Sequence, residues 1–321
     1  MARLCTFVTT PILLLACAGT GQERPASQPQ SAPKPQASAE QLTSYSVPQL
    51  EELCATQSAA ACEELGDRVR FEKPKPAMGD TQASKENGAV RAAALYLQAC
   101  EGGRPTACAQ LAAMLQTGEG VGVDLEQAGN FYDRACKGKV KLACVSLGVL
   151  LASQGRRLKD ARSLLEQGCN AKHAPACAYL ATLYYEGSGG PQDIDRAVEL
   201  LGRACDSNLM EACTMLGTVL ERFLDDDAKA QQARRVFENS CNSGDPLGCA
   251  GLGRLLWSGA GGSKDEDRAL SLWVRACDAG VGRACWDLAN AHKQRKEDGA
   301  ASRARSRACS LGIPEACTPS P

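Results

Sequence analysis

Residues 249–285 read CAGLGRLLWSGAGGSKDEDRALSLWVRACDAGVGRAC, and the spacing inside this stretch decides the fold. Leu252, Gly253 and Leu256 stand three, four and seven positions after Cys249. Ala269, Leu272, Trp273 and Ala276 stand eight, five, four and one positions before Cys277. Steps of 3, 4 and 7 trace one face of an α-helix. The stretch therefore predicts two amphipathic helices joined by a glycine-rich turn. One cysteine opens the first helix, another closes the second, and Cys285 opens the next copy.

The same frame extends outward in both directions. Besides Cys5 and Cys17, 16 cysteines form eight pairs with seven residues between partners: Cys54/Cys62, Cys100/Cys108, Cys136/Cys144, Cys169/Cys177, Cys205/Cys213, Cys241/Cys249, Cys277/Cys285 and Cys309/Cys317. First cysteines recur at intervals of 46, 36, 33, 36, 36, 36 and 32 residues, which marks a repeat array. Within each pair the intervening residues, such as EGGRPTA and NSGDPLG, are turn-rich. Pro105, Pro246 and Pro314 lie three positions before a second cysteine, where a first helical turn tolerates proline.

Three chemistries compete for these pairs. Zinc sites use closer cysteines and converging ligands, so a uniform gap of seven does not suit them. Redox motifs use C-x-x-C, which the chain lacks. Structural disulfides suit the even count and an oxidising compartment. Eight residues of continuous helix rise about 12 Å, and a disulfide needs Cα atoms within about 7 Å, so a bridge inside a pair requires the chain to reverse. Local pairing is the simplest of many connectivities.

Composition narrows the function. Lys and Arg total 36 against 37 Asp and Glu, so no basic excess is available for nucleic acid. Two histidines leave little for a metal centre, and no cofactor or metal is expected. The start, MARLCTFVTTPILLLACAGTG, has a short apolar core suited to a signal peptide and too short to span a bilayer. Leu14-Leu15-Ala16-Cys17 resembles a bacterial lipobox, which implies lipidation at Cys17, and Ala18 favours the outer membrane by analogy. Plain secretion into the periplasm or beyond is the alternative. The expected domains are a signal at 1–17, a Pro/Ser/Gln/Ala-rich disordered tether at 18–44, an all-α solenoid of seven to eight disulfide-stapled helix pairs at 45–317, and a tail at 318–321. Residues 71–88, rich in Lys, Pro and Gly, are expected to form an insertion loop.

The repeat resembles the Sel1-like repeat, a relative of the tetratricopeptide repeat. The resemblance is carried by LATLYYEGSGGPQDIDRAVELLGRAC (180–205), LGRLLWSGAGGSKDEDRALSLWVRAC (252–277) and LAAMLQTGEGVGVDLEQAGNFYDRAC (111–136). In these copies Asp124, Asp193 and Asp265 stand where a helix N-cap belongs, and Gly118, Gly187 and Gly259 open the connecting loop. Residues 152–160 lack that glycine loop, and 221–229 replace it with an acidic segment. With a cysteine pair in each unit, the chain is similar to the cysteine-rich protein family of Helicobacter.

The resemblance implies a concave face lined by the first helix of each pair, at one, five and eight positions after the second cysteine. Together with positions two before that cysteine, this gives Tyr185, Glu221, Arg254, Trp257, Arg283, Trp286 and Asn290 as candidate binding residues. It also implies a protein or peptide partner in the periplasm or cell envelope. A β-lactamase or β-lactam-binding activity is implied by the resemblance alone. The one S-x-x-K, Ser31 to Lys34, lies in the tether, and His173 and His292 are far apart in sequence. A thiol–disulfide partner is a further alternative. The favoured expectation is a non-enzymatic binding scaffold.

Overall fold

The structure, a computed structural model, describes residues 38–71 and 82–318. The signal with Cys17, most of the tether, the Ser31–Lys34 motif, residues 72–81 and the last three residues lie outside the described residues. Seventeen α-helices follow in order: α1 Ala39–Leu42, α2 Val47–Ala55, α3 Ala59–Phe71, α4 Gln82–Glu101, α5 Pro105–Thr117, α6 Leu125–Lys137, α7 Lys141–Ser153, α8 Leu158–Asn170, α9 Ala174–Glu186, α10 Ile194–Asp206, α11 Met210–Leu220, α12 Asp227–Asn242, α13 Pro246–Ser258, α14 Glu266–Asp278, α15 Gly282–Gln294, α16 Asp298–Ser310 and α17 Pro314–Cys317. No strand occurs among the described residues. From α3 to α16 the helices form seven consecutive pairs, each packed on the next.

Sequence chemistry sets each boundary. Asp124, Asp193 and Asp265 accept backbone N–H bonds in the first turns of α6, α10 and α14, which satisfies otherwise orphaned donors. Pro105, Pro246 and Pro314 are the first helical residues of α5, α13 and α17. Gly118, Gly187 and Gly259 end α5, α9 and α13 in the left-handed conformation, which favours glycine. The second glycine of each loop serves a different need. A Cβ on Gly189 would lie 2.5 Å from the Leu158 carbonyl oxygen, and one on Gly261 would lie 2.3 Å from that of Ala230. These glycines let each loop lie directly on the preceding repeat.

All eight local disulfides form: Cys54–Cys62, Cys100–Cys108, Cys136–Cys144, Cys169–Cys177, Cys205–Cys213, Cys241–Cys249, Cys277–Cys285 and Cys309–Cys317, with Cα atoms 4.4 to 4.9 Å apart. Six of them link the second helix of one pair to the first helix of the next, and the outer two join α2 to α3 and α16 to α17, so the bridges cross the junctions along the array. Cys108, Cys177 and Cys213 are buried among core residues. The Cys108 and Cys177 sulfurs face the carbonyls of Cys100 and Cys169, at 3.8 and 3.7 Å, inside the junction. Cys213, in the first turn of α11, is bridged to Cys205. These three pack in the core and cross-link their junctions. The physical reason is their register: each lies on the core-facing side of its first helix, next to a buried alanine (Ala107, Ala176 and Ala212).

Side-chain clamps span the same junctions. The guanidinium groups of Arg134, Arg203 and Arg275 donate to the carbonyls of Cys100, Cys169 and Cys241, 34 residues earlier in each case. Gln98 does the same to the Cys54 carbonyl.

Within a pair, size complementarity fills the core. Large residues four before the first cysteine face glycine or a small residue on the partner helix. Tyr96 packs at Gly66, Phe237 at Gly217 and Gly251, and Trp273 at Gly253, each within contact distance of where a Cβ would stand. Trp273 also donates its indole N–H to the Ala250 carbonyl at 3.2 Å.

Two expected boundaries move. Helix α1 and the buried Leu42 fall inside the segment expected as tether. Arg68 fixes them by donating to the carbonyls of Leu42 and Thr43. The expected insertion loop 71–88 is helical from Gln82 onward. Its prolines stand at 74 and 76, and beyond them Ala, Lys and Glu favour helix. The acidic segment after α11 contains a 3-10 turn, Glu221–Phe223, in place of the glycine loop.

Candidate functional site

First helices of neighbouring repeats touch directly, as α7 with α9, α11 with α13 and α13 with α15. They form one layer of the array. The positions two before and nine after the second cysteine face solvent in each repeat from α5 to α15, and the position two after joins them on α9 and α11. Several large apolar side chains stand open on this stripe: Leu142 is 62% exposed, Leu247 55%, Tyr179 48% and Met215 38%.

This stripe differs in part from the expected one. The position one after the second cysteine turns toward the second helix of its own pair. There Val145 crowds Gly168, and the Thr214 hydroxyl meets that of Ser240 at 3.0 Å. Trp286 occupies the equivalent place. It packs on Cys277, Cys285, Ala308 and Ala316 with Leu311 and Ile313. Trp286 is thus half-buried against the C-terminal cap. The position eight after the second cysteine is intermediate. Tyr185 is partly buried, its hydroxyl accepts a bond from Arg222, and its carbonyl accepts from Gln192. Trp257 is partly buried too, with its ring centroid 5.6 Å from that of Trp273.

The structure does bring together Glu221, Arg254, Trp257 and Asn290, with Arg283 at the rim. Glu221 accepts two bonds from Arg254, at Nε and Nη2, both 2.9 Å. Arg254 Nη1 points to Asp287 Oδ2 at 3.7 Å, an ion-pair distance too long for a hydrogen bond. Arg283 Nε stands 3.4 Å from Asp287 Oδ1. Asp287 Oδ2 is buried and has no hydrogen-bond partner. Burial raises the Asp287 carboxyl above its ordinary range, against the pull of Arg254 and Arg283. Around this group Arg254, Trp257, Trp273, Asp287, Asn290 and Gln294 line a cavity of about 190 Å³.

Asp287 is the residue that sequence reasoning missed. A signal for it exists: Glu221, Arg254 and Asp287 follow one another at intervals of 33 residues. In a repeat of 36 this steps one helical turn along each successive first helix, so the three side chains meet.

The opposite end carries a closed polar network. Arg70 donates to both oxygens of Glu119 and to Gln110, and Tyr96 donates to Asp67 at 2.7 Å. Arg70 holds Glu119 below the usual carboxylate range, and burial followed by the Asp67 bond pushes the Tyr96 phenol far up. The two histidines stay apart in role. His173 caps α9 through Nδ1, and His292 pairs with Glu297 at 2.5 Å. Among the described residues no group of three or more His, Cys, Asp or Glu side chains is placed to hold a metal ion.

Residues 105–139, 174–209 and 246–281 each match the model of the Sel1 repeat. The chain carries three Sel1 repeats. Two solved structures share the fold. A Sel1 repeat protein from Oxalobacter formigenes superposes with a TM-score of 0.64 at 20% identity, over 84% of this chain and 78% of that one. A protective antigen present in uropathogenic Escherichia coli strains, displaying an SLR fold, gives 0.54 at 20% identity, over 85% and 73%. No curated protein matches the sequence. The three matched Sel1 segments begin at helices α5, α9 and α13, so the family frame coincides with the helix pairs.

Proposed function

We propose that this Sel1-repeat protein is an exported, non-enzymatic scaffold of the bacterial envelope that binds a protein or peptide on the layer of first helices. The observation that carries the reading is the open stripe on that layer. Leu142, Tyr179, Met215 and Leu247 expose apolar surface on consecutive first helices, at positions the repeat does not need for its core. Patches of that kind mark interaction surfaces. Eight disulfides support an oxidising, exported location. Attachment to the outer membrane through Cys17 belongs to the same reading and rests on the lipobox-like LLAC alone.

The test is cross-linked capture from envelope extract by the oxidised full chain, run beside Met215→Glu and Leu247→Glu. Partners retained by the wild-type chain and lost from both variants are expected. An empty or unchanged partner list would sink the scaffold reading. Labelling with radioactive palmitate tests the anchor separately: Cys17→Ser should lose the label.

A further inference from the structure

We propose that the cavity beside Asp287 receives a single basic side chain, lysine or arginine, from the partner bound on the first-helix layer, with the Asp287 carboxylate as its counter-ion. This rests on the scaffold reading above and names the chemistry of one contact. Size is the first argument. The cavity holds about 190 Å³, whereas sites for drug-sized molecules run to about 300–1,000 Å³. It has room for one long side chain.

Charge is the second argument. Two carboxylates, Glu221 and Asp287, face one half-buried guanidinium, that of Arg254. Arg254 commits Nε and Nη2 to Glu221, so its fork is not open to an acidic ligand. Asp287 is left with two long contacts, 3.7 Å to Arg254 and 3.4 Å to Arg283, and a buried oxygen that accepts no hydrogen bond. An apolar occupant would strip this carboxylate of water without giving it a donor, which is unfavourable. An ammonium or guanidinium supplies the donor. Arg283 is 60% exposed and tethered only at the rim, so it can yield its place. The Trp257 ring lines the same cavity and offers the aliphatic stem of a lysine or arginine an apolar wall.

The neutral residues fit the same occupant. Asn290 and Gln294 lie three and seven positions after Asp287, on the same face of α15, and both line the cavity. Their amide oxygens can accept further N–H bonds from a guanidinium or ammonium.

Blocked pentapeptides with glycine at four positions and Lys, Arg, Leu or Glu at the centre serve as probes. They are titrated into the oxidised full chain while the Trp257 indole N–H is followed by NMR, with Trp257→Phe identifying the signal. The Lys and Arg peptides are expected to bind roughly tenfold more tightly than the Leu and Glu peptides, as a desolvated charge pair allows. Asp287→Asn should remove that preference. Gln294→Lys, on the exposed last turn, adds a repelling charge without touching the core. It should weaken the basic peptides several-fold relative to the Leu peptide. Equal response to all four peptides, preference for Glu, no response, or a preference that survives both variants would overturn the proposal. The capture experiment separates the two readings: a partner held equally by the wild-type chain and Asp287→Asn leaves the scaffold standing and removes this contact.

Discussion

Asp245 caps α13 and Asp287 lies on the neighbouring first helix, α15, and their surroundings move them in opposite directions. Burial alone would raise Asp245. The hydroxyls of Thr214 and Ser240 and the amides of Leu247 and Gly248 outweigh burial and hold its carboxyl below the usual range. A depressed folded-state pKa contributes stability above the unfolded value, about 3.9, and loses it as pH falls through the folded value. Asp245→Ala is therefore expected to cost about 1–2 kcal/mol at pH 7, with the difference from wild type shrinking toward pH 3. Urea unfolding at the two pH values measures this. Asp287 carries the reverse sign. Burial raises it, so its ionised form costs stability above the folded pKa, and the cost vanishes once pH falls below the unfolded value. Asp287→Asn should raise the thermal midpoint at pH 7 and leave it unchanged at pH 3. A lower midpoint at pH 7 would show that the pairs with Arg254 and Arg283 outweigh desolvation.

At the scale of the element, the glycine loops and the terminal clamps turn helix pairs into a stack. Gly103 and Gly189 both adopt positive φ, 86° and 80°. An alanine at either incurs the left-handed penalty of about 1–2 kcal/mol. A Cβ at Gly103 meets nothing within 4 Å, while one at Gly189 collides with the Leu158 backbone. Gly189→Ala should therefore be more destabilising than Gly103→Ala by at least about 1 kcal/mol, read as the difference in urea midpoints. Equal costs would mean that the α9–α10 loop can lift away from α8 freely. The clamps of Arg134, Arg203 and Arg275 act in the same direction, since each closes a carbonyl at the end of the preceding repeat. Where the clamping position is Gln167, a cavity of about 410 Å³ lies open between Cys144, Gly168 and His173.

At the scale of the whole array, each repeat contacts its neighbours, so stability is a sum of repeat and junction contributions. The disulfides sit on the junctions. Chain-entropy reasoning gives about 2.5 kcal/mol for a loop of this size, on a protein scale where net stability is about 5–15 kcal/mol. Reduction of all eight bridges is expected to lower the thermal midpoint by more than 15 °C or so and to broaden the transition, as repeats fray singly. Calorimetry of the oxidised and reduced chain checks this. A sharp transition unchanged in position would show that the helix pairs hold the junctions without the bridges. Neighbouring bridges constrain overlapping segments, so single cysteine-pair deletions should sum to more or less than the total loss.

The amino-acid sequence by itself determined the helix pairs, their register and their ends. Steps of 3, 4 and 7 beside Cys249 and Cys277, the aspartate caps, the N-terminal prolines and the uniform cysteine gap are all local signals, and local hydrogen bonding and capping answer to them. The start of the array and the length of α4 were less legible. They depend on Leu42 being covered by a helix 20 or so residues away and on a helix extending beyond its repeat. Only the tertiary structure decided which side of each first helix stacks and which stays open. It buried Cys108, Cys177 and Cys213 inside their junctions, turned Trp286 inward onto the C-terminal cap, and left Leu142, Tyr179, Met215 and Leu247 in solvent. It also drew Asp287 to Arg254 and left one carboxylate oxygen unpartnered. The rotation between successive helix pairs makes that choice. It is set by how side chains at each junction pack together, and no spacing within a single repeat encodes it.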